Sequence, residues 1–238
     1  MKTLYICGAR NSETVRLTQR INRVRPRWER IVLLDDDPRK RGQVILGVKI
    51  EGRLSLLERA DGRTAEIVNS VTRTTAGRWA VRRKMEAHGI PFATLIDPSV
   101  DLEVAELARD IIVYQNATIG PQVSIGEASA IFMGAVVGHE SQLSHCCVVA
   151  ANAVLNARVQ LGDGVYVGSN ASILPEVKVG AWATIAAGSM VMQDVPAGAT
   201  LMGVPGKIVY RLSQEELAMR TAEARPVALR QEAGSRVA

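Results

Sequence analysis

The chain has 238 residues, 47% of them hydrophobic, which is enough apolar material for one large domain or two small ones. No apolar stretch approaches the length of a bilayer span, and Leu4–Cys7 is too short for the apolar part of a secretory leader, so membrane insertion and export are not expected. The net charge of +5 is uneven, with 20 Lys/Arg against 11 acids in residues 1–97, yet no aromatic platform or nucleic-acid motif accompanies the excess and nucleic acid is not an expected partner.

In chain order, residues 3–8 (TLYICG) read as a first strand and Ser12–Arg23 as a helix with Val15, Leu17 and Ile21 among its apolar positions. Ile31–Leu34 is a second strand that runs into Asp35-Asp36-Asp37, and Ala65–Val68 is a third. Trp79–His88 reads as a helix closed by Gly89, and Phe92–Ile96 as a fourth strand. Strands alternating with helices predict a small parallel sheet, a Rossmann-like front domain over residues 1–97. Such sheets bind ligands beyond the carboxyl ends of their strands, here around Gly8–Asn11 and Asp35–Asp37.

A six-residue repeat then takes over. Val113, Ile119, Ile125, Ile131, Val137, Leu143, Val149, Leu155, Leu161, Val167, Ile173, Val179, Ile185 and Val191 are spaced by six and all aliphatic. Two residues before each of these from Ile119 on stands a small residue or Val, from Ala117 to Ser189. Residues two apart in a strand share a side, so both series face inward. The next position is often Gly, as in Gly120, Gly126, Gly138, Gly162, Gly168 and Gly180, where the chain turns a corner and the backbone is crowded. Three such strands close one triangular coil, and the coils stack into a single core of about 20 Å at the usual strand spacing. A six-residue period drifts around an α-helix instead of staying on one face, which excludes a helix. This β-helix domain spans residues 98–210. In the tail, 211–238, Ser213-Gln214-Glu215-Glu216 has the form of a capping box, and Leu217 and Met219 could dock a short helix. Beyond Ala224 periodicity is lost and disorder is expected.

There are three histidines. His88 precedes a helix-ending Gly and reads as a cap. His139 and His145 lie six apart, at equivalent corners, and project outward because Val137 and Leu143 fill the inward slots. Two histidines in the repeat are too few for a zinc triad, so no metal is expected. Cys7, Cys146 and Cys147 lack metal-ligand spacing and form an odd count, which suits a reducing cytoplasm. Cys147 falls in the inward series and Cys146 at a corner.

Three stretches carry a resemblance: Phe92–Pro98 (FATLIDP), Val137–Glu140 (VGHE) and Gly188–Lys207 (GSMVMQDVPAGATLMGVPGK). On these the chain resembles the hexapeptide-repeat acyltransferases, within them the sialic-acid O-acetyltransferases and bacillosamine-type UDP-amino-sugar N-acetyltransferases. The resemblance implies a left-handed coil, a homotrimer, and acetyl-CoA as co-substrate for acetylation of an amino sugar, free or nucleotide-linked. It implies His139 as general base, Glu140 as its orienting acid, and the amide of Ala157, where the family commonly has Gly, as oxyanion donor. Backbone at Ser169, Ala187 and Gly188 would hold the pantetheine arm, with Lys207 near the phosphate end of CoA. In the front domain the family's glycine-rich turn is reduced to Gly8, followed by Arg10 and Asn11. Arg10 is expected to replace backbone amides as the phosphate contact, with one of Asp35, Asp36 and Asp37, Asp36 first among them, on sugar or ribose hydroxyls. Val148 stands where the amino-sugar enzymes carry a second histidine. The competing readings are a γ-type carbonic anhydrase, which the histidine count disfavours, and a non-catalytic ligand-binding or scaffold trimer.

Overall fold

The computed structural model describes residues 2–224. The disorder expected beyond Ala224 lies outside the described residues. At the front, β1 (Thr3–Cys7), β2 (Arg30–Leu34), β3 (Val44–Ile45), β4 (Val48–Gly52) and β5 (Ala65–Asn69) form one sheet in the order β3-β4-β2-β1-β5. All neighbours are parallel except the β3–β4 hairpin. The sequence pattern did not anticipate that hairpin: β3 is two residues long, and its turn rests on Leu46 and Gly47, both at positive φ. Helix α1 (Ser12–Val24) starts at Asn11, whose side chain accepts from the Glu13 N–H. Helix α2 (Thr75–Glu86) begins a turn earlier than Trp79, because Thr74 caps it by accepting from the Gly77 N–H.

The expected fourth strand over Phe92–Ile96 is corrected. Phe92 makes a single bridge to Ile67, and the chain then leaves the sheet so that Leu95–Ile96 pairs with Ile112–Val113 of the repeat. Apolar alternation marked the segment as extended but carried no information on which sheet would take it.

The repeat folds into a left-handed parallel β-helix. Strands pair with a register of eighteen, as in Ala130↔Val148 and Ile131↔Val149. The aliphatic series fills the interior, all of it buried except Ile119, which is partly buried. Crowding does explain the recurrent glycines: a Cβ on Gly168 would stand 2.5 Å from the amide nitrogen of Ala187, one coil on. The turning residue itself comes two positions later. There φ is positive at Asn116, Gln122, Ala128, Gly134, Glu140, Cys146 and onward every six residues to Gly188, mostly on non-glycine side chains.

The prism has three faces. The first carries Ile112, Ala130, Val148 and Tyr166 outward, the second Thr118, Val136, Val154 and Ser172, the third Ser124, Gln142, Gln160 and Lys178. The front domain docks on the first face, where Ile112, Ala130 and Val148 share one buried cluster with Leu4, Ile6, Val15 and Leu17. Tyr114 and Phe132, stacked with centroids 4.7 Å apart, belong to the same contact. Along one edge of the face α2 packs Trp79 against Ala128, Cys146 and Trp182. The fully buried Arg78 donates from Nε to the Ala128 carbonyl and from Nη1 to those of Asn69 and Val71. Arg82 binds Asp110 at 2.9 Å and Glu127 at 3.1 Å. At the far end, Ala199–Met202 extends the docked face, Lys207–Arg211 pairs antiparallel with it, and α3 (Gln214–Ala224) follows. The capping box is present in both directions, Ser213 N–H to Glu216 and Glu216 N–H to the Ser213 hydroxyl. Leu217 packs beside Trp182, but Met219 is 57% exposed and does not dock.

Replacing Ile131 by Asp puts an unpaired carboxylate into the stacked core and should cost several kcal/mol. Gln142→Asp, on an outward position, should change stability by less than about 0.5 kcal/mol. Urea denaturation of both variants checks this; equal losses would contradict the inward assignment.

Candidate functional site

The carboxyl ends of β1, β2 and β5 open onto a cavity of about 480 Å³ that Gly8, Arg10, Asp35 and Asp36 all line. Glycine is needed at position 8: φ is +98°, and a Cβ would come within 2.9 Å of a Val71 methyl. Asp35 is engaged in holding the loops. Its carboxylate accepts from the N–H of Ala9 at 2.9 Å and of Asp37 at 3.0 Å, and from Lys40. Burial raises its pKa, but Lys40 and the two amides outweigh that and keep it below the usual range. Asp36 is exposed and uses Oδ1 to accept the Leu54 N–H. Arg10 is exposed and forms no ion pair among the described residues.

Lys40, Leu54, the Ser70–Arg73 loop, Val81 and Phe132 also line the cavity and were not foreseen. Phe132 did leave a signal. It is one of two phenylalanines in the chain and occupies a slot where Gly is usual. Tyr114, in the equivalent slot one coil earlier, is fully buried, and its hydroxyl bonds the side chains of Asn11 and Thr14, each at 2.8 Å. The prism thereby fixes the loop that carries Arg10.

His139 sits on the corner between the second and third faces, with half its side chain exposed. Its Nδ1 lies 3.0 Å from Glu140 Oε2, and Arg158, one coil on, reaches the same oxygen at 3.3 Å. Hydrogen bonds from His139 and Arg158 hold Glu140 below the usual carboxylate range. Ala157 precedes Arg158 on the same corner, and its N–H is not bonded among the described residues. His145 lies on the corner that abuts α2. It does not simply project outward: its Nδ1 is buried and has no partner among the described residues. Cys146 is buried against α2, and burial pushes its thiol up to about 12. Val148 is fully buried under the front domain, a packing position that a polar ring would disrupt.

Ser169, Ala187 and Gly188 gather on the corner between the docked and second faces, with the Gly188 N–H donating to the Ser169 carbonyl at 2.8 Å. Lys207 is exposed on the terminal strand pair. Phe132 leads into this same corner at Gly134. One chain therefore brings the cavity residues together and joins them to the corner of Ser169, Ala187 and Gly188. It leaves His139 and Glu140 on the corner opposite the docked face. Among the described residues no group of three or more His, Cys, Asp or Glu could hold a metal ion, and no helix is long and apolar enough to cross a membrane.

Residues 158–193 match the family described as bacterial transferase hexapeptide (six repeats). No curated protein matches the sequence significantly. Among solved structures, the acetyltransferase domain of PglB from Neisseria gonorrhoeae FA1090 superimposes with a TM-score of 0.80 at 23% identity, over 88% of this chain and 100% of that one. PerB from Caulobacter crescentus, in complex with CoA and GDP-perosamine, gives 0.78 at 24% identity, over 88% and 98%. WeeI from Acinetobacter baumannii AYE gives 0.57 at 16%, over 88% and 100%. At these identities the likeness establishes the fold, front domain and β-helix together.

Asp35→Ala should lower the unfolding free energy at pH 7 by about 1–3 kcal/mol, the cost of leaving buried donors unpaired. Because folding depresses the Asp35 pKa, its contribution is present above the unfolded value and lost as pH falls through the folded one. The deficit, read from urea denaturation, should therefore narrow on acidification; a deficit that widened would contradict the assignment.

Proposed function

We propose that the chain is an acetyl-CoA-dependent acetyltransferase that acylates an amine or hydroxyl of a nucleotide-linked amino sugar, as a cytoplasmic homotrimer. The observation that carries this reading is the His139–Glu140 pair. With Nδ1–H donated to the carboxylate, Nε2 keeps its lone pair at an exposed corner, as a general base requires. Solved structures of this fold support the substrates, one holding acetyl coenzyme A and another CoA with GDP-perosamine.

His139 takes the proton from the acceptor atom as that atom bonds to the thioester carbonyl carbon. Glu140, itself held by Arg158, stabilises the resulting imidazolium. The free Ala157 N–H meets the charge that gathers on the carbonyl oxygen. When the carbon–sulfur bond breaks, the imidazolium returns the proton to the leaving sulfur, giving acetylated acceptor and free thiol. No cysteine takes part: all three are buried.

The front-domain cavity suits the acceptor's nucleotide, with Arg10 on phosphate and the unbonded Asp36 oxygen on a hydroxyl. The backbone of Ser169, Ala187 and Gly188 suits the pantetheine arm, with Lys207 toward the phosphates. His139 lies on the wrong corner to reach either in its own chain. A threefold assembly that sets the His139 corner of one copy against the Gly188 corner of the next completes the site. Exposed Met190, Met192, Met202 and Val204 near that corner give such a contact apolar surface.

His139→Ala should lower kcat about 100- to 10,000-fold with acetyl-CoA affinity unchanged. His145→Ala should have a much smaller effect. Steady-state assays against nucleotide amino sugars read both; equal effects would remove His139 as the base, and no turnover of any sugar would favour a ligand-binding trimer. Arg10→Ala should raise the acceptor KM while kcat holds, the mark of a contact remote from the reacting atoms. An unchanged KM would take Arg10 out of the site.

A further inference from the structure

The corner that carries His139 is charged over three coils. Glu140, Arg158 and Glu176 stand at its turning position, one coil apart and all at positive φ. Their backbones are tied together as the prism rises: the Arg158 N–H donates to the His139 carbonyl and the Glu176 N–H to that of Ala157, each at 2.9 Å. The turning positions of the other two corners in the same coils, Gly134, Cys146, Asn152, Gly164, Asn170 and Trp182, hold no charged side chain. Half of the Arg158 side chain is exposed. Exposed ion pairs add little to stability, so holding the coils together does not account for the column.

Arg158 spans that column. Its Nε and Nη2 meet Glu176 Oε1 at 3.0 and 2.9 Å, and its Nη1 donates to Glu140 Oε2 at 3.3 Å. The last oxygen is the one that faces His139 Nδ1 at 3.0 Å. The consequence concerns the proton on the ring. A neutral histidine free in water favours the proton on Nε2, which leaves no lone pair there to act as a base. The Nδ1–H form is selected only while an acceptor stays in place at Nδ1. Glu140 follows His139 directly in the chain, and 44% of its side chain is exposed. Among the described residues, only Arg158 bonds its carboxylate besides the ring itself.

We infer that Arg158 is a positioning residue for His139. Held by Glu176, it keeps the Glu140 carboxylate against Nδ1 and thereby keeps the lone pair on Nε2. This rests on the reading of His139 as the base. The guanidinium suits the task because its planar fork grips one carboxylate while a separate N–H reaches the other. A lysine at 158 would supply the charge to Glu140 without the fork.

The test reads the ring and the reaction separately. Nitrogen-15 NMR of the full-length protein, with the His139 signals assigned by their loss in His139→Ala, should show the neutral ring protonated at Nδ1. In Arg158→Gln the neutral ring should pass to a mixture with the Nε2–H form. With nucleotide amino sugars as acceptors, Arg158→Gln should lower kcat about tenfold, the scale of one charge-assisted hydrogen bond, while both KM values stay within about twofold. Arg158→Lys should recover most of that loss. In a Glu140→Gln background, Arg158→Gln should cost little more, because the two residues act in series. An unchanged ring signal in Arg158→Gln, or losses that multiply in the double variant, would overturn the role. A ring that responds as expected in a protein that acetylates no sugar would instead remove the acetyltransferase reading and leave the assignment of Arg158 standing.

Discussion

Every position outside the prism is set by how the aliphatic side chains stack inside it. Ile131 lies under Val149, and Val149 under Val167, because each coil advances by eighteen residues and places the next aliphatic group over the last. Dispersion and apolar burial reward only that register, since a shift of one residue would turn the inward set outward. Once the register holds, a residue's number decides its face and its corner. His139 goes to the corner between two open faces, and Ile112, Ala130 and Val148 go to the third face, where the front domain covers them.

That covering is made specific by polar contacts. Arg78 and Arg82 leave α2 fully or almost fully buried and end on the Ala128 carbonyl, Asp110 and Glu127 of the first coils. Buried ion pairs add little net stability, but a misplaced one is expensive, so the network selects one docking position. Burial is strong enough to push Asp110 up to about 6 even with two guanidiniums beside it. Tyr114 completes the alignment from the other edge through Asn11 and Thr14. The front-domain cavity is thus held rigidly against one corner of the prism, and His139 lies on another.

Much of this was legible in the sequence. The period of six gave the inward columns because the same small set of side chains recurs in them. The period of eighteen was equally present: Ile112, Ala130 and Val148 are apolar, whereas Ser124, Gln142, Gln160 and Lys178 are polar, which distinguishes the docked face from the solvated one. Aromatic residues in place of Gly at 114 and 132 mark the same face. Less could be read where long-range pairing decides. Phe92–Ile96 has the pattern of a strand in either sheet, and β3 is too short to declare itself. For the site, Gly8 and the acids after β2 follow from topology, and all line the cavity. The roles of single side chains did not follow: Asp35 accepts from the amide of Ala9, 26 residues away in sequence, and no local pattern encodes that contact.

The central claim is that the acceptor cavity of one copy works with His139 of another. Subunit complementation tests it most directly. A His139→Ala chain and an Arg10→Glu chain, each inactive at low acceptor concentration, are unfolded together and reassembled at equal ratio. If sites are shared between neighbours in a threefold ring, random mixing restores about a quarter of wild-type activity, since one site in each mixed trimer has both halves intact. If each chain holds a whole site, the mixed assembly stays as inactive as its parents, and that result would contradict the account.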